Sequence, residues 1–216
     1  MNGNETIFDR IYHTNEWQGT HSHSGPSSNM ERTQSLRDAL PGIIDKYSIK
    51  TFLDAPCGDF YWMKSLVPNL SISYIGADIV KDLVSANQRA FGTEKIRFTH
   101  LDLTVGPIPA ADVLFCRDCL FHLSYIDIAL VLKNFLISDC RFFMTTSHIN
   151  RNNFANSDIE TGGWRWFDLF KTPFNFSETY VEAIVDGGGD RLMCMWRMGD
   201  VKFSIETYIN TIKGDA

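Results

Sequence analysis

Residues 51–59 read Thr-Phe-Leu-Asp-Ala-Pro-Cys-Gly-Asp. A short apolar run is closed here by an acid and a turn containing Pro56 and Gly58, which predicts a strand entering a tight loop. The pattern recurs downstream. Apolar runs over 72–77 and 96–101 end at Asp78 and Asp102, a run over 112–116 ends before Arg117-Asp118, and another spans 141–146. Between them, spacing predicts helices over 60–67, 81–90 and 126–136. Strands alternating with helices at this interval imply right-handed crossovers and a parallel sheet. The strands are continuously apolar rather than alternating, as expected when helices cover both faces.

Outward from this core the pattern changes. Over 31–47, Leu36, Leu40, Ile43, Ile44 and Tyr47 sit at helical spacing, and Pro41 is expected to end or kink that helix. Residues 1–30 are polar, broken only by Ile11-Tyr12 and Trp17, and read as a leader or a lid. Runs over 178–185 and 191–198 flank Asp186-Gly187-Gly188-Gly189-Asp190, a hairpin signal. The expectation is a single α/β domain over 31–216, with an insertion at about 148–175. Its sheet would have seven strands, mostly parallel, with an antiparallel C-terminal hairpin.

Composition narrows the function classes. The chain has 216 residues, 44% hydrophobic and 21% charged, with a net charge of -6. That balance offers no bulk attraction to phosphate backbones and disfavours nucleic acid as a partner. The start has no basic and apolar signal-peptide regions, and no apolar run approaches the roughly 20 residues of a membrane span. The five cysteines, an odd number mostly within apolar runs, suggest reduced thiols. A soluble cytoplasmic protein is expected. Cys116 and Cys119 form a CxxC, but a metal centre would want a second pair, and no metal is expected. Nothing in the sequence signals an oligomeric state.

In open α/β sheets ligands bind beyond the carboxyl ends of the strands. Asp54, Asp78 and Asp102 stand at such ends, 24 residues apart. An acid after the second strand can accept both hydroxyls of a ribose, and one after the third can accept from an adenine amino group. Gly58 would let the backbone approach a ligand closely.

Leu53-Asp54-Ala55-Pro56-Cys57-Gly58-Asp59 resembles the first motif of class I S-adenosylmethionine-dependent methyltransferases. Tyr74-Ile75-Gly76-Ala77-Asp78-Ile79 resembles the second, His100-Leu101-Asp102-Leu103 the third, and Asp112-Val113-Leu114-Phe115-Cys116-Arg117-Asp118 the fourth. DAPCGDF, CRDCLFHLS and the late WRWFDLF are similar to a bacterial-type subgroup of that family. The resemblance covers about residues 50–147. It implies a Rossmann-like methyltransferase fold with S-adenosylmethionine as cofactor. Asp54, Ala55, Gly58 and Asp59 would hold the methionine end, Asp78 the ribose, and Ile79, Asp102 and Leu103 the adenine. Arg117 would reach the cofactor carboxylate. The turn departs from the usual three glycines: only Gly58 remains, and Phe60 would narrow the approach. An acid-rich turn suits a cationic cofactor and would repel a pyrophosphate, which disfavours the alternative of an NAD(P) oxidoreductase.

For catalysis, His122 and Asp118 are four residues apart and would share a helix face, with Asp118 orienting His122 as a base. Trp17, His148, Trp164 and Arg165, with Trp166 beside them, are candidates for contact with the acceptor. The expected acceptor is a small molecule or glycan precursor taking a methyl on oxygen or nitrogen. A non-catalytic S-adenosylmethionine-binding module is the other reading.

Overall fold

The computed structural model describes residues 3–214. Residues 1, 2, 215 and 216, which belong to the expected leader and domain, lie outside the described residues. Seven strands form one sheet in the order β3-β2-β1-β4-β5-β7-β6. Strands β1 (Thr51–Asp54), β2 (Ser73–Asp78), β3 (Ile96–His100), β4 (Val113–Cys116) and β5 (Phe142–His148) pair in parallel. β6 (Glu182–Asp186) and β7 (Arg191–Arg197) form the antiparallel hairpin, and β7 also runs antiparallel to β5. This is the mixed sheet expected from the sequence.

Alternation along each strand divides the core. Phe52 and Phe115 face one side, with α2 (Gln34–Lys46) and the segment around Met63. Leu53, Leu114 and Phe143 face the other, with α4 (Tyr125–Leu136) and α5 (Met198–Gly214). Both faces are therefore apolar and covered, which is why the strand sequences show no polar alternation. α3 (Lys81–Phe91) returns the chain from β2 to β3.

Three expectations are corrected. Residues 60–67 form no α-helix: two short 3-10 turns, Met63–Ser65 and Val67–Asn69, stand there instead. Phe60 has a left-handed φ of 57° and Pro68 lacks an N–H, so a regular helix cannot propagate. Phe60 does not narrow any ligand approach either. That turn sends its ring into the core, 5.2 Å from Tyr74 and 5.1 Å from Phe98. Finally, α2 runs through Pro41 and does not end there. Burial of Leu36, Leu40, Ile43 and Ile44 on one face offsets the ~3 kcal/mol that an interior proline costs.

Two helices went unread. α1 (Gly3–His13) occupies part of the expected leader, and α5 closes the chain. Both carry a signal. Ile7, Phe8, Ile11 and Tyr12 are helically spaced, as are the buried Val201, Ile205, Tyr208 and Ile209.

Phe143 is fully buried, with its ring 4.5 Å from that of Phe135 on α4. Phe143→Ala should lower unfolding free energy by about 3–5 kcal/mol in urea titrations. A loss below about 1 kcal/mol would contradict close packing on this face.

Candidate functional site

β1 and β2 end on Asp54 and Asp78, Asp102 lies two residues beyond β3, and Arg117 follows β4. A cavity of about 1100 Å³, counting its open mouth, runs along this rim. Asp54, Ala55, Gly58, Asp78, Ile79, Asp102, Leu103 and Arg117 all line it. Eight of the nine residues that the family resemblance assigns to a cofactor thus meet on one wall.

The parallel strands set this geometry. The Cys57 N–H donates to the Ala77 carbonyl at 2.8 Å, so the first turn stays laced to the end of β2. The Gly58 N–H then donates to Asp78 Oδ2 at 3.0 Å, and Val80 N–H to Asp78 Oδ1 at 3.1 Å. From α3, the Asn87 amide donates to the Gly58 carbonyl at 2.8 Å. Each Asp78 oxygen has a further lone pair for a ligand. Burial raises the Asp78 pKa, and these backbone donors oppose the rise. Asp54 accepts from the Tyr74 hydroxyl at 2.6 Å, and burial pushes its carboxyl up to about 7. Asp102 Oδ1 takes the Thr104 N–H at 2.8 Å and hydroxyl at 2.7 Å.

Asp59 is the exception. It does not line the cavity; its carboxylate accepts from Ser22 Oγ at 2.9 Å and from the His23 N–H at 3.2 Å. Its own N–H donates to Ser24 Oγ at 3.1 Å. A Cβ on Gly58, whose φ is 55°, would lie 2.2 Å from Ser24 Oγ. The glycine therefore makes room for this N-terminal segment as well as for the turn itself. Asn4, Phe8 and Tyr12 of α1, then Trp17, His23, Ser24 and Ser28, form the outer wall. Of these, Trp17 alone is a candidate site residue from the sequence, although Tyr12 also stands out there; for Asn4, Phe8 and Tyr12 the helical spacing in α1 is the available signal.

Asp118 and His122 both line the cavity but are not joined as the four-residue spacing suggested. Asp118 has a left-handed φ of 50°, and only a 3-10 turn, Leu120–His122, follows. The Asp118 carboxylate instead accepts from Arg191 Nη1 at 2.6 Å, with Arg117 Nη1 at 3.3 Å. Burial pushes its carboxyl up, but the two guanidiniums outweigh that and hold it below the usual range. Arg117 also donates to Asp186 at 2.8 Å and to the Ser27 carbonyl at 3.0 Å.

His122 is 9% exposed, and its ring stacks on Trp17 at 4.7 Å. Its Nδ1 lies 2.7 Å from the Gly163 carbonyl. A carbonyl only accepts, so Nδ1 carries the proton and Nε2 keeps a lone pair. Burial lowers its pKa to about 4. His148, Trp164 and Arg165 do not line the cavity. His148 Nδ1 accepts from the Phe167 N–H at 3.2 Å, and its ring lies 5.9 Å from Trp164. Arg165 is buried between the Tyr125 and Phe167 rings, at 5.0 and 5.5 Å. No group of three or more side chains able to hold a metal occurs among the described residues.

The two shifted groups give opposite pH slopes. Between about pH 4 and 6.5 unfolded His122 binds a proton that the folded residue does not, so its contribution to stability rises with pH. Between 3.8 and about 7 folded Asp54 holds a proton that the unfolded residue lacks, so its contribution falls as pH rises. Urea midpoints of Asp54→Asn should therefore climb more steeply with pH than wild type across this window, and those of His122→Gln less steeply. Parallel curves for all three proteins would refute the burial of both groups.

No helix among the described residues is long and apolar enough to cross a membrane. No protein-family model and no curated protein matches the sequence. Solved structures do. PigF with SAH is 13% identical with a TM-score of 0.62, matching 88% of this chain and 62% of that one. Human N-acetylserotonin methyltransferase in complex with SAM is 13% identical with a TM-score of 0.60, over 88% of this chain and 58% of that one. The chain thus spans about three fifths of the length of these two proteins. Magnesium protoporphyrin IX methyltransferase (ChlM) from Synechocystis PCC 6803 with bound SAH is 14% identical with a TM-score of 0.56, over 89% of this chain and 94% of that one. With its strand order, its reversed seventh strand and these likenesses, the chain has the fold of the class I S-adenosylmethionine-dependent methyltransferases.

Proposed function

We propose that the protein transfers a methyl group from S-adenosylmethionine to an oxygen or nitrogen of a small-molecule or glycan-type acceptor. One observation carries this reading: Asp54, Asp78 and Asp102 converge on a single cavity at the ends of three adjacent parallel strands. The donor set fits the cofactor. Asp78, with both oxygens oriented by backbone N–H groups, suits a ribose diol. Ile79, Leu103, Leu123 and Val131 offer apolar walls for a flat base. Asp54 suits the cationic end, and Arg117 is the candidate partner for its carboxylate. An acid-lined rim of this kind repels a pyrophosphate, which weighs against a dinucleotide.

The cofactor supplies a methyl group on a positively charged sulfur. The chain's residues have to align the acceptor and, where the acceptor carries a proton, remove it. His122 is our candidate base. It is neutral at pH 7, lines the cavity and, with Nδ1 on the Gly163 carbonyl, keeps a lone pair on Nε2. A pKa near 4 makes it a weak base, suited to an acceptor proton that becomes acidic only as the new bond forms. Asp118, bound to two arginines, acts on His122 through its charge alone. Trp17, stacked on His122, presents an aromatic face to the acceptor. Residues 3–28 serve as a lid that excludes water and whose opening admits ligands.

Calorimetry should show binding of S-adenosylmethionine and of its demethylated product, and none of NAD. The reverse preference would refute the proposal. Asp78→Ala should weaken cofactor binding by roughly 1.5–3 kcal/mol, the scale of hydrogen bonds to a charged group. Once an acceptor is found by panel assay, His122→Ala should lower turnover while leaving cofactor affinity within about twofold. Full turnover in that variant would clear His122 of any base role.

A further inference from the structure

His122 is held from behind by a turn that the cavity itself does not contain. Gly163 offers its carbonyl to Nδ1 at 2.7 Å, and the Gly162 N–H donates to the His122 carbonyl at 2.8 Å. The turn is closed by the Gly163 N–H donating to Glu160 O at 3.1 Å. These bonds grip His122, but they do not locate the turn relative to α4. Thr161 does. Its hydroxyl accepts the Ser124 N–H at 2.9 Å and donates to the Asp127 carboxylate. Ser124 Oγ in turn caps α4 by accepting the Asp127 N–H at 3.2 Å. Thus residues 161, 162 and 163 are each bonded to the stretch between His122 and Asp127.

The other side of the turn carries the N-terminal segment. A Cβ on Gly162, at a φ of 98°, would lie 2.5 Å from Ile7 of α1. The turn is therefore pressed between α1 and the start of α4, with little freedom to shift.

We propose that Thr161 is a positioning residue for His122: by fixing the 161–163 turn on the α4 N-terminus, it sets the imidazole tautomer and keeps Nε2 as a proton acceptor in the cavity. The inference deepens the reading of His122 as the base and rests on it for its consequence in turnover. Its structural content, a tautomer set by Thr161, stands separately. Without the hydroxyl, the Ser124 N–H loses its acceptor at a helix start and Asp127 loses a donor. The turn is then held only by the Gly162 N–H on the His122 carbonyl, the packing on α1 and the Asp158 carboxylate on the Tyr125 N–H at 2.7 Å, and the Gly163 carbonyl is fixed less firmly at Nδ1. The remaining charged or titratable groups around the ring are Asp118, which favours a proton, and Arg191 and His148, which oppose one. None of them hydrogen-bonds the imidazole among the described residues, so none can substitute for Gly163.

The test is long-range nitrogen–proton NMR of the histidine rings in the full chain at neutral pH, where protonated and unprotonated ring nitrogens resonate far apart. Wild-type His122 should show Nδ1 protonated and Nε2 bare. Thr161→Val should introduce a detectable Nε2-protonated population, and Thr161→Ser, which retains the hydroxyl, should restore the wild-type pattern. Wild-type His122 protonated on Nε2 would overturn the proposal without any variant, so the test survives a Thr161→Val protein that fails to fold. An unchanged tautomer in folded Thr161→Val, or mixed tautomers in both variants, would also overturn it. Turnover separates the two ideas. A lost tautomer preference in Thr161→Val supports the positioning role whatever the turnover, whereas full turnover in His122→Ala overturns only the base.

Discussion

The bond from the Gly58 N–H to the Asp78 carboxylate is the contact on which the site depends. It joins the turn after β1 to the end of β2 and fixes one carboxylate oxygen. The Val80 N–H fixes the other. Burying a carboxylate is costly unless donors satisfy it, and here the donors are backbone groups that cannot rotate away. The parallel pairing sets Asp54 opposite Gly76, so the turn after β1 runs alongside the last residues of β2 and the bond follows from register. Asn87 extends the arrangement to α3 by donating to the carbonyl of the next peptide, that of Gly58.

The N-terminal segment uses the same turn from outside. Ser22, His23 and Ser24 engage Asp59, and Ser24 occupies the space that a side chain at position 58 would take. One glycine thus serves both the inner cradle and the outer cover. Asp59, whose position in the motif suggested contact with a ligand, spends its carboxylate on the cover. Trp17 continues that cover to His122, and burial beneath it contributes to the ring's neutral state.

Charges at the end of β4, on and behind the cavity wall, are balanced within the protein. Asp118, Arg117, Arg191 and Asp186 form a connected set in which the carboxylates accept from guanidinium groups. Isolated, any of them would be prohibitively expensive to bury; together their charges compensate, although Asp186 Oδ1 has no hydrogen-bond partner among the described residues, and they tie β4 to the β6–β7 hairpin. The network also explains why Asp118 is unavailable to His122 as a hydrogen-bond partner. The four-residue spacing had meaning only on a helix, and the left-handed backbone at Asp118 precludes one there.

What the sequence determined by itself was the layered sheet and its loaded edge. Apolar runs ending in Asp54, Asp78 and Asp102 specify strands through local periodicity, and parallel pairing then aligns their ends without further information. Most of the cavity's inner wall was legible for that reason. Tertiary structure alone decided the rest: the partner of Asp59, the turn that grips His122, the withdrawal of Arg165 against the Tyr125 ring, and the folding of residues 3–28 across the rim. Each of these is a contact between segments far apart in the chain. Such pairings depend on where a loop returns in space, and short-range spacing carries no record of that.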